Sequence, residues 1–282
     1  MLAIRTHQDV RAFLDRAEDW LLGEEERYGL VLSIAYQVLS GVHRYHKPIY
    51  WATVEQESSG RRAKIVGCAF RTPPHKLGVT ELPESAIEPL VSSLRETYLA
   101  VSGVGGPERT ATALARAWTE RFAEKWLIDH HQRLHSLTKV RKPSTPAPGE
   151  LRPALPAGVP VARAWMSGFI RETRSNHVGA DTAARLIEQR RLYFWVDGEP
   201  RCMVGAVRET PNTAGVAAVY TPPPFRNRGY ASVAVATLSR QLLEAGRSSC
   251  FLYADLANPT SNSVYRRIGY EPIDDVVDLL IL

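Results

Sequence analysis

At 282 residues the chain is long enough for one large domain or for two of ordinary size, each with its own core. Its 44% hydrophobic and 23% charged content is that of a globular protein, and its apolar runs fall short of the ~18 residues a membrane span needs. The net charge of +5 is small and scattered, which suits an anionic ligand and argues against nucleic acid as a partner.

The chain begins Met1-Leu2-Ala3-Ile4-Arg5-Thr6-His7-Gln8-Asp9, without the basic-then-apolar build of a secretion signal, so a cytoplasmic location is expected. Residues Asp9–Gly41 predict two helical stretches, with Val10, Phe13 and Leu14, then Leu30, Leu32, Ile34 and Val38, as apolar positions. A hairpin follows from the aromatic and β-branched Ile49–Val54, the turn Ser58-Ser59-Gly60, and a second strand over Lys64–Phe70 closed by Thr72-Pro73-Pro74. Ser85–Tyr98 has helical spacing and Tyr98–Val101 has strand character. Gly103-Val104-Gly105-Gly106-Pro107 predicts a turn, because no Gly-Lys-Ser/Thr follows to make a nucleotide loop. A helix is expected from Glu108 to about Leu127, and a strand over Leu134–Val140. His131 and His135, spaced i and i+4, lack a third ligand and are expected, with His130, as solvent-facing residues at a helix end. Cys68, Cys202 and Cys250 are odd in number, far apart and set in apolar runs, so buried thiols are expected.

Three prolines between Pro143 and Pro148 mark a semi-rigid connector. Beyond it Glu150–Ala154 reads as a short strand, and Trp165–Thr173 and Asp181–Arg190 as helices, Asp181 being an N-cap candidate. Leu192–Val196 and Arg201–Arg208 form a hairpin about Asp197-Gly198, and Ala214–Thr221 adds a third antiparallel strand. That strand runs into Pro222-Pro223-Pro224-Phe225-Arg226-Asn227-Arg228-Gly229-Tyr230-Ala231 and then into a helix that ends near Ala245. Strand, basic glycine loop and helix N-terminus, in that order, make an anion site from free N–H groups and the positive end of the helix dipole. Gly229 is expected to let a ligand approach the backbone. Ser249–Ala254 is the next strand, Asn258 caps a short helix with Pro259 at its first position, Gly269 ends it, and Ile273–Leu282 is the last strand.

Arg226-Asn227-Arg228-Gly229-Tyr230-Ala231 matches the Arg/Gln-x-x-Gly-x-Gly/Ala signature of the GNAT superfamily of N-acetyltransferases. One strand and one helix later, Asp255 to Tyr270 resembles that family's other region, with an Asn, a short helix carrying a Tyr, and Gly-aromatic. The resemblance covers roughly residues 150–282. It implies an α/β (α+β) fold with a mixed, mostly antiparallel sheet flanked by helices. Residues 1–143 echo the same element order, Leu99–Trp118 in register with Ala217–Leu238. Two GNAT-like domains in tandem are therefore expected, a degenerate one over 1–143 and a catalytic one over 144–282. The first lacks both motifs and is expected to bind no cofactor.

The resemblance further implies acetyl-CoA as co-substrate and a small-molecule or peptide amine as acceptor. The pyrophosphate would lie over the backbone of Arg226, Asn227, Arg228, Gly229, Tyr230 and Ala231, with Arg226 or Arg228 adding charge. Val219 and Thr221 would pair their backbone with the pantetheine arm, and the N–H of Val219 is the implied oxyanion contact. Tyr265 is the implied general acid. Asn258 and Ser261 fall on the cofactor side, though Asn258 is equally a helix cap. The general base has no marker. Glu209 is the carboxylate nearest in sequence to the active strand, with Glu172, Asp255, Glu271 or a chain of waters as alternatives. Trp165, Tyr193 and Trp195 are core aromatics first and pocket candidates second. The rival reading is a non-catalytic CoA-binding sensor, which would keep affinity for acetyl-CoA and show no dependence on Tyr265.

Overall fold

A computed structural model describes residues 2–41, 45, 48–58, 61–175, 179 and 181–282. In chain order the elements are β1 (Leu2–Thr6), α1 (Val10–Leu22), α2 (Glu25–Leu39), β2 (Tyr50–Ser58), β3 (Arg61–Arg71), β4 (Leu77–Val79), α3 (Ile87–Thr97), β5 (Gly103–Pro107), α4 (Glu108–Phe122) and β6 (Trp126–Leu137). Then come β7 (Glu150–Pro153), α5 (Val159–Thr173), α6 (Asp181–Glu188), β8 (Leu192–Asp197), β9 (Glu199–Val207), β10 (Thr213–Tyr220), α7 (Tyr230–Glu244), β11 (Ser249–Asp255), α8 (Pro259–Ile268) and β12 (Glu271–Ile281). The ten-element sequence β-α-α-β-β-β-α-β-α-β is thus written twice. Its register differs from the one expected: Leu99–Trp118 does not answer to Ala217–Leu238. The counterpart of β10 and α7 is β4 and α3.

Two compact units divide the chain. Unit 1 holds residues 1–134, 255–257 and 273–282, and unit 2 holds 135–254 and 258–272. The expected division at 143/144 differs from this in three places: at the start of the connector, at residues 255–257 and at the C-terminal strand, the last two lying with unit 1.

In unit 1 the strands are ordered β1-β2-β3-β4-β5-β12, with β4 and β5 parallel and the remaining neighbours antiparallel. Alternation along β2 sends Trp51 to one face, against Phe13, Leu32 and Phe70. It sends Tyr50, Ala52 and Val54 to the other, against Leu90, Leu114 and Trp118. Gly103–Pro107, expected as a turn, is a strand. Glycine disfavours strands, but here two backbones come too close for a side chain. A Cβ on Gly103 would collide with the Leu279 carbonyl and one on Gly106 with the Val79 carbonyl, and both have positive φ, +153° and +155°. Tyr98–Val101 is correspondingly not a strand: Tyr98 closes α3, its N–H bonded to Leu94 O, and Leu99 is exposed. The α4 helix stops at Phe122, so the three histidines sit on β6 rather than at a helix end, with His130 and His135 buried. The Ser59-Gly60 turn lies outside the described residues.

In unit 2 the strand order is β11-β10-β9-β8-β7, with β10 and β11 parallel and the others antiparallel. Phe194 and Met203 face α5 and α6, together with Met166 and Leu186. Trp195, Cys202 and Val204 face α7 and α8, together with Val235, Leu238 and Tyr270. Asp181 is the first residue of α6 and pairs with Arg163 at 2.9 Å. All three cysteines are buried and unbridged. No helix among the described residues is long and apolar enough to cross a membrane.

Candidate functional site

The site is built where β10 and β11 part. Their parallel ladder covers only Thr213–Gly215 against Ser249–Phe251, although β10 runs on to Tyr220 and β11 to Asp255. On its other side, the ladder of β10 with β9 slips between Ala217 and Tyr220, and Ala218 has φ +53°. This bulge leaves Ala218 and Val219 outside the β9 ladder at the mouth of the gap. Polar backbone groups of a central strand are thereby turned to a slot, where an extended amide-bearing ligand can complete them.

Beyond Tyr220 the chain enters a rigid turn over Pro223–Phe225 and then the loop. Asn227 and Gly229 both have positive φ, +61° and +84°, around Arg228, for which no positive φ is found. Alternating signs of this kind point successive N–H groups into one concavity that suits an anion. No side chain caps α7, so the first-turn amides of Tyr230, Ala231 and Ser232 add to that concavity along with the helix dipole. Two side chains fix the loop from below. Tyr230 is buried and donates to Asp197 Oδ2 at 2.7 Å, a bond that raises its pKa, and the Arg201 guanidinium lies 4.4 Å over the Phe225 ring. The space over Gly229 is taken by the connector, not left for a ligand: a Cβ there would stand 3.1 Å from Thr145 O. The glycine is required by its φ and by this contact. The connector is itself held, through Arg141 N–H to Ile268 O at 2.8 Å and Trp195 Nε1–H to Pro148 O at 2.7 Å.

Residues 196–277 match the family model described as FR47-like protein. Over nearly its whole length the chain is similar to a solved structure of a Drosophila protein, with a TM-score of 0.69 at 14% identity, covering 99% of this chain and 98% of that one. It is similar to an acetyltransferase from the GNAT family of Colwellia psychrerythraea, with a TM-score of 0.60 at 10% identity, covering 99% of this chain and 100% of that one. It is also similar to a tandem GNAT protein from the clavulanic acid biosynthesis pathway, with a TM-score of 0.52 at 14% identity over 100% and 98% of the two chains. The chain has the tandem GNAT fold. No curated protein matches the sequence.

Within that GNAT fold the residues singled out from the sequence are distributed unevenly. Val219, Thr221 and the stretch Arg226–Ala231 lie on one continuous path, from the bulge to the α7 N-terminus. Asn258 caps α8, accepting from Ser261 N–H at 3.0 Å. Tyr265, half-buried on α8, packs against the core beside Tyr270, ring centroids 6.1 Å apart. Burial, and then the nearby Cys202, push its pKa up to about 12, so the hydroxyl keeps its proton at neutral pH. Burial likewise raises the Cys202 thiol to about 12.

Glu209 is not brought to this site. It precedes β10, about 20 Å of strand away from Val219 at ~3.3 Å per residue. Its oxygens are held by Arg191 and Arg247, each at 3.1 Å. Asp255 accepts from Ala257 N–H at 2.8 Å, and Glu271 pairs with Arg141 at 3.3 Å. Glu172, on the last turn of α5, does reach the end of β10, where Tyr220 donates to it at 3.2 Å. Trp165 meets Phe194 edge-on in the core, and Trp195 is bonded to the connector.

The corresponding place in unit 1 is built differently. The loop after β4 carries Glu81, Glu84 and Glu88 around the start of α3, and its Leu82 N–H donates to Thr110 Oγ1. Gly106 lets β5 close against Val79, the last residue of β4, where unit 2 opens. Three carboxylates and a closed strand pair disfavour a phosphate-bearing ligand there.

Proposed function

We propose that unit 2 is an acetyl-CoA-dependent N-acetyltransferase acting on a primary amine by direct attack in a ternary complex. The observation that carries this is the parting of β10 and β11 after Gly215 and Phe251, with a bulge at the gap and an uncapped helix N-terminus at its end. An extended thioester with an anionic tail matches that shape: amides along the strand, phosphates at the loop. In this reading the N–H of Val219 donates to the carbonyl oxygen as it becomes an oxyanion. The backbone of Val219 and Thr221 holds the pantetheine amides, and the amides from Asn227 to Ala231 hold the pyrophosphate. The amine enters neutral; as it forms its bond to carbon and the C–S bond breaks, Tyr265 gives its proton to the leaving thiolate, the proton lost by the amine nitrogen passes to water, and Tyr265 is reprotonated from water. Alignment of amine and thioester in one complex supplies much of the acceleration. Glu209 is left out of the proposal because of where it sits.

Calorimetric titration of the full chain with acetyl-CoA tests this, alongside an Arg228→Glu, Gly229→Asp double variant. Micromolar binding in the parent, lost in the double variant, is expected. Tyr265→Phe is expected to bind acetyl-CoA as the parent does and to acetylate amines about 100-fold more slowly. No binding at millimolar acetyl-CoA overturns the proposal, binding without transfer to any amine leaves the sensor reading, and transfer indifferent to Tyr265 removes that residue as the acid.

A further inference from the structure

Arg226 opens the loop motif and would be the obvious phosphate ligand, yet its guanidinium is committed elsewhere. Nη2 donates to both oxygens of Glu172, at 2.8 and 2.7 Å, and Nε donates to Thr221 O at 2.9 Å. The same Glu172 carboxylate accepts from Tyr220 at 3.2 Å, and the guanidinium lies 5.7 Å from the Tyr220 ring centroid. Gly168, one turn earlier on α5, makes room for that phenol, since a Cβ there would overlap the Tyr220 hydroxyl. One cluster therefore ties three pieces together: the last turn of α5, the end of bulged β10 and the first residue of the loop.

We propose that Arg226 is a positioning residue, a latch rather than a phosphate ligand, and that Glu172 is its partner and not a general base. The proposal rests on the acetyl-CoA reading of this site. A guanidinium can clasp an oxyanion in two parallel bonds along its Nε/Nη2 edge or its Nη1/Nη2 edge; the protein's own groups hold Nε and Nη2, which fills the first edge and half of the second and leaves no complete fork for a phosphate. What the latch fixes is the register between the strand that carries Val219 and the loop amides from Asn227 to Ala231. A thioester held at one end and a pyrophosphate at the other need that register to be constant. Phosphate charge is left to the backbone amides, the α7 dipole and Arg228, which is exposed and forms no ion pair among the described residues.

The test is calorimetric affinity for acetyl-CoA, at low and high salt, of the full chain and of Arg226→Gln, Arg226→Lys, Glu172→Gln, the double Arg226→Gln/Glu172→Gln, and Arg228→Gln. Glu172→Gln removes a negative charge near a polyanion, so simple electrostatics has it bind tighter. The latch has it bind about threefold to tenfold weaker, with the double variant no worse than either single one. Arg226→Lys keeps the charge and loses the fork, so it is expected to weaken binding as Arg226→Gln does. The salt dependence of the double Arg226→Gln/Glu172→Gln variant, which keeps the net charge, is expected to equal the parent's, while that of Arg228→Gln is shallower. Unchanged or tighter binding by Glu172→Gln, or parent-like binding by Arg226→Lys, overturns the latch while leaving the acetyl-CoA site standing. A parent that does not bind acetyl-CoA overturns both.

Discussion

Tyr265 shows what burial does to a single hydroxyl. Its ring belongs to the α7–α8 face of unit 2, and removal from water raises its pKa from 10.0 to about 12. Between those two values the folded chain holds a proton that the unfolded chain has released. Folding stability is therefore complete below pH 10 and falls as pH rises toward 12. Tyr28, Tyr50 and Tyr98 in unit 1 are also raised to about 12 by burial and add to the same loss. The contribution of Tyr265 is read as a difference. Tyr265→Phe keeps the ring and removes the titration, so its unfolding free energy, from urea titrations between pH 9 and pH 12 (range set by the two pKa values), is expected to decline less steeply than the parent's. The upper bound on the gap at the alkaline end is about 2–3 kcal/mol. Parallel curves would mean that the hydroxyl is solvated and is not held protonated by burial.

At the scale of elements, β5 and the β8–β9 hairpin use glycine for opposite ends. In β5, Gly106 stands at φ +155° with the Val79 carbonyl where a Cβ would go, so the residue closes a strand pair. Gly198, in the β8–β9 hairpin, has φ +70° and open space around it. Gly106→Ala is expected to cost on the order of 2–4 kcal/mol and Gly198→Ala about 1 kcal/mol in chemical denaturation, since only the first adds a collision to backbone strain. Equal costs would show that β5 gives way easily. The comparison explains what the sequence made legible. Period-two alternation in β2 and in the β8–β9 hairpin, and helical spacing in α1, α3 and α7, are local and read correctly. The Arg226–Ala231 loop likewise falls where it was expected, between β10 and α7. The β5 strand does not, because glycine suits a strand only when a neighbour comes close, and that neighbour, Leu279, is remote in sequence. The β6 strand is read only at its end, where Leu134–Leu137 falls within the expected Leu134–Val140; the preceding Trp-Leu-Ile-Asp-His-His-Gln-Arg has no clean alternation. The bonds of Arg226 to Glu172 were not legible either, because the two residues lie more than fifty positions apart.

For the whole molecule the telling segment is the last strand. Ile273–Leu282 reads as a strand from composition alone, but nothing in a β-branched run says which edge it will join. In the structure it pairs antiparallel with β5, Val276 opposite Pro107 and Leu280 opposite Gly103. It also places Val277 and Leu279 in the core beside Leu114 and Trp118. Unit 1 is therefore not a contiguous piece of chain, and the ten-element repeat legible in the sequence order does not coincide with the compact units. Removal of residues 271–282 is expected to act first on unit 1. It strips β5 of one ladder, exposing five residues of strand backbone, and withdraws two fully buried side chains. Burial of each such side chain is worth ~1.5–3 kcal/mol, a large share of a domain's net stability. Hydrogen exchange followed by mass spectrometry on the truncated chain tests this. Protection is expected to fall in Gly103–Phe122 and along β2 and β3, while α7 and the β10–β11 ladder at Thr213–Gly215 keep theirs. Loss spread evenly over both units would mean that the two cores fold as one cooperative body and that the last strand serves them jointly.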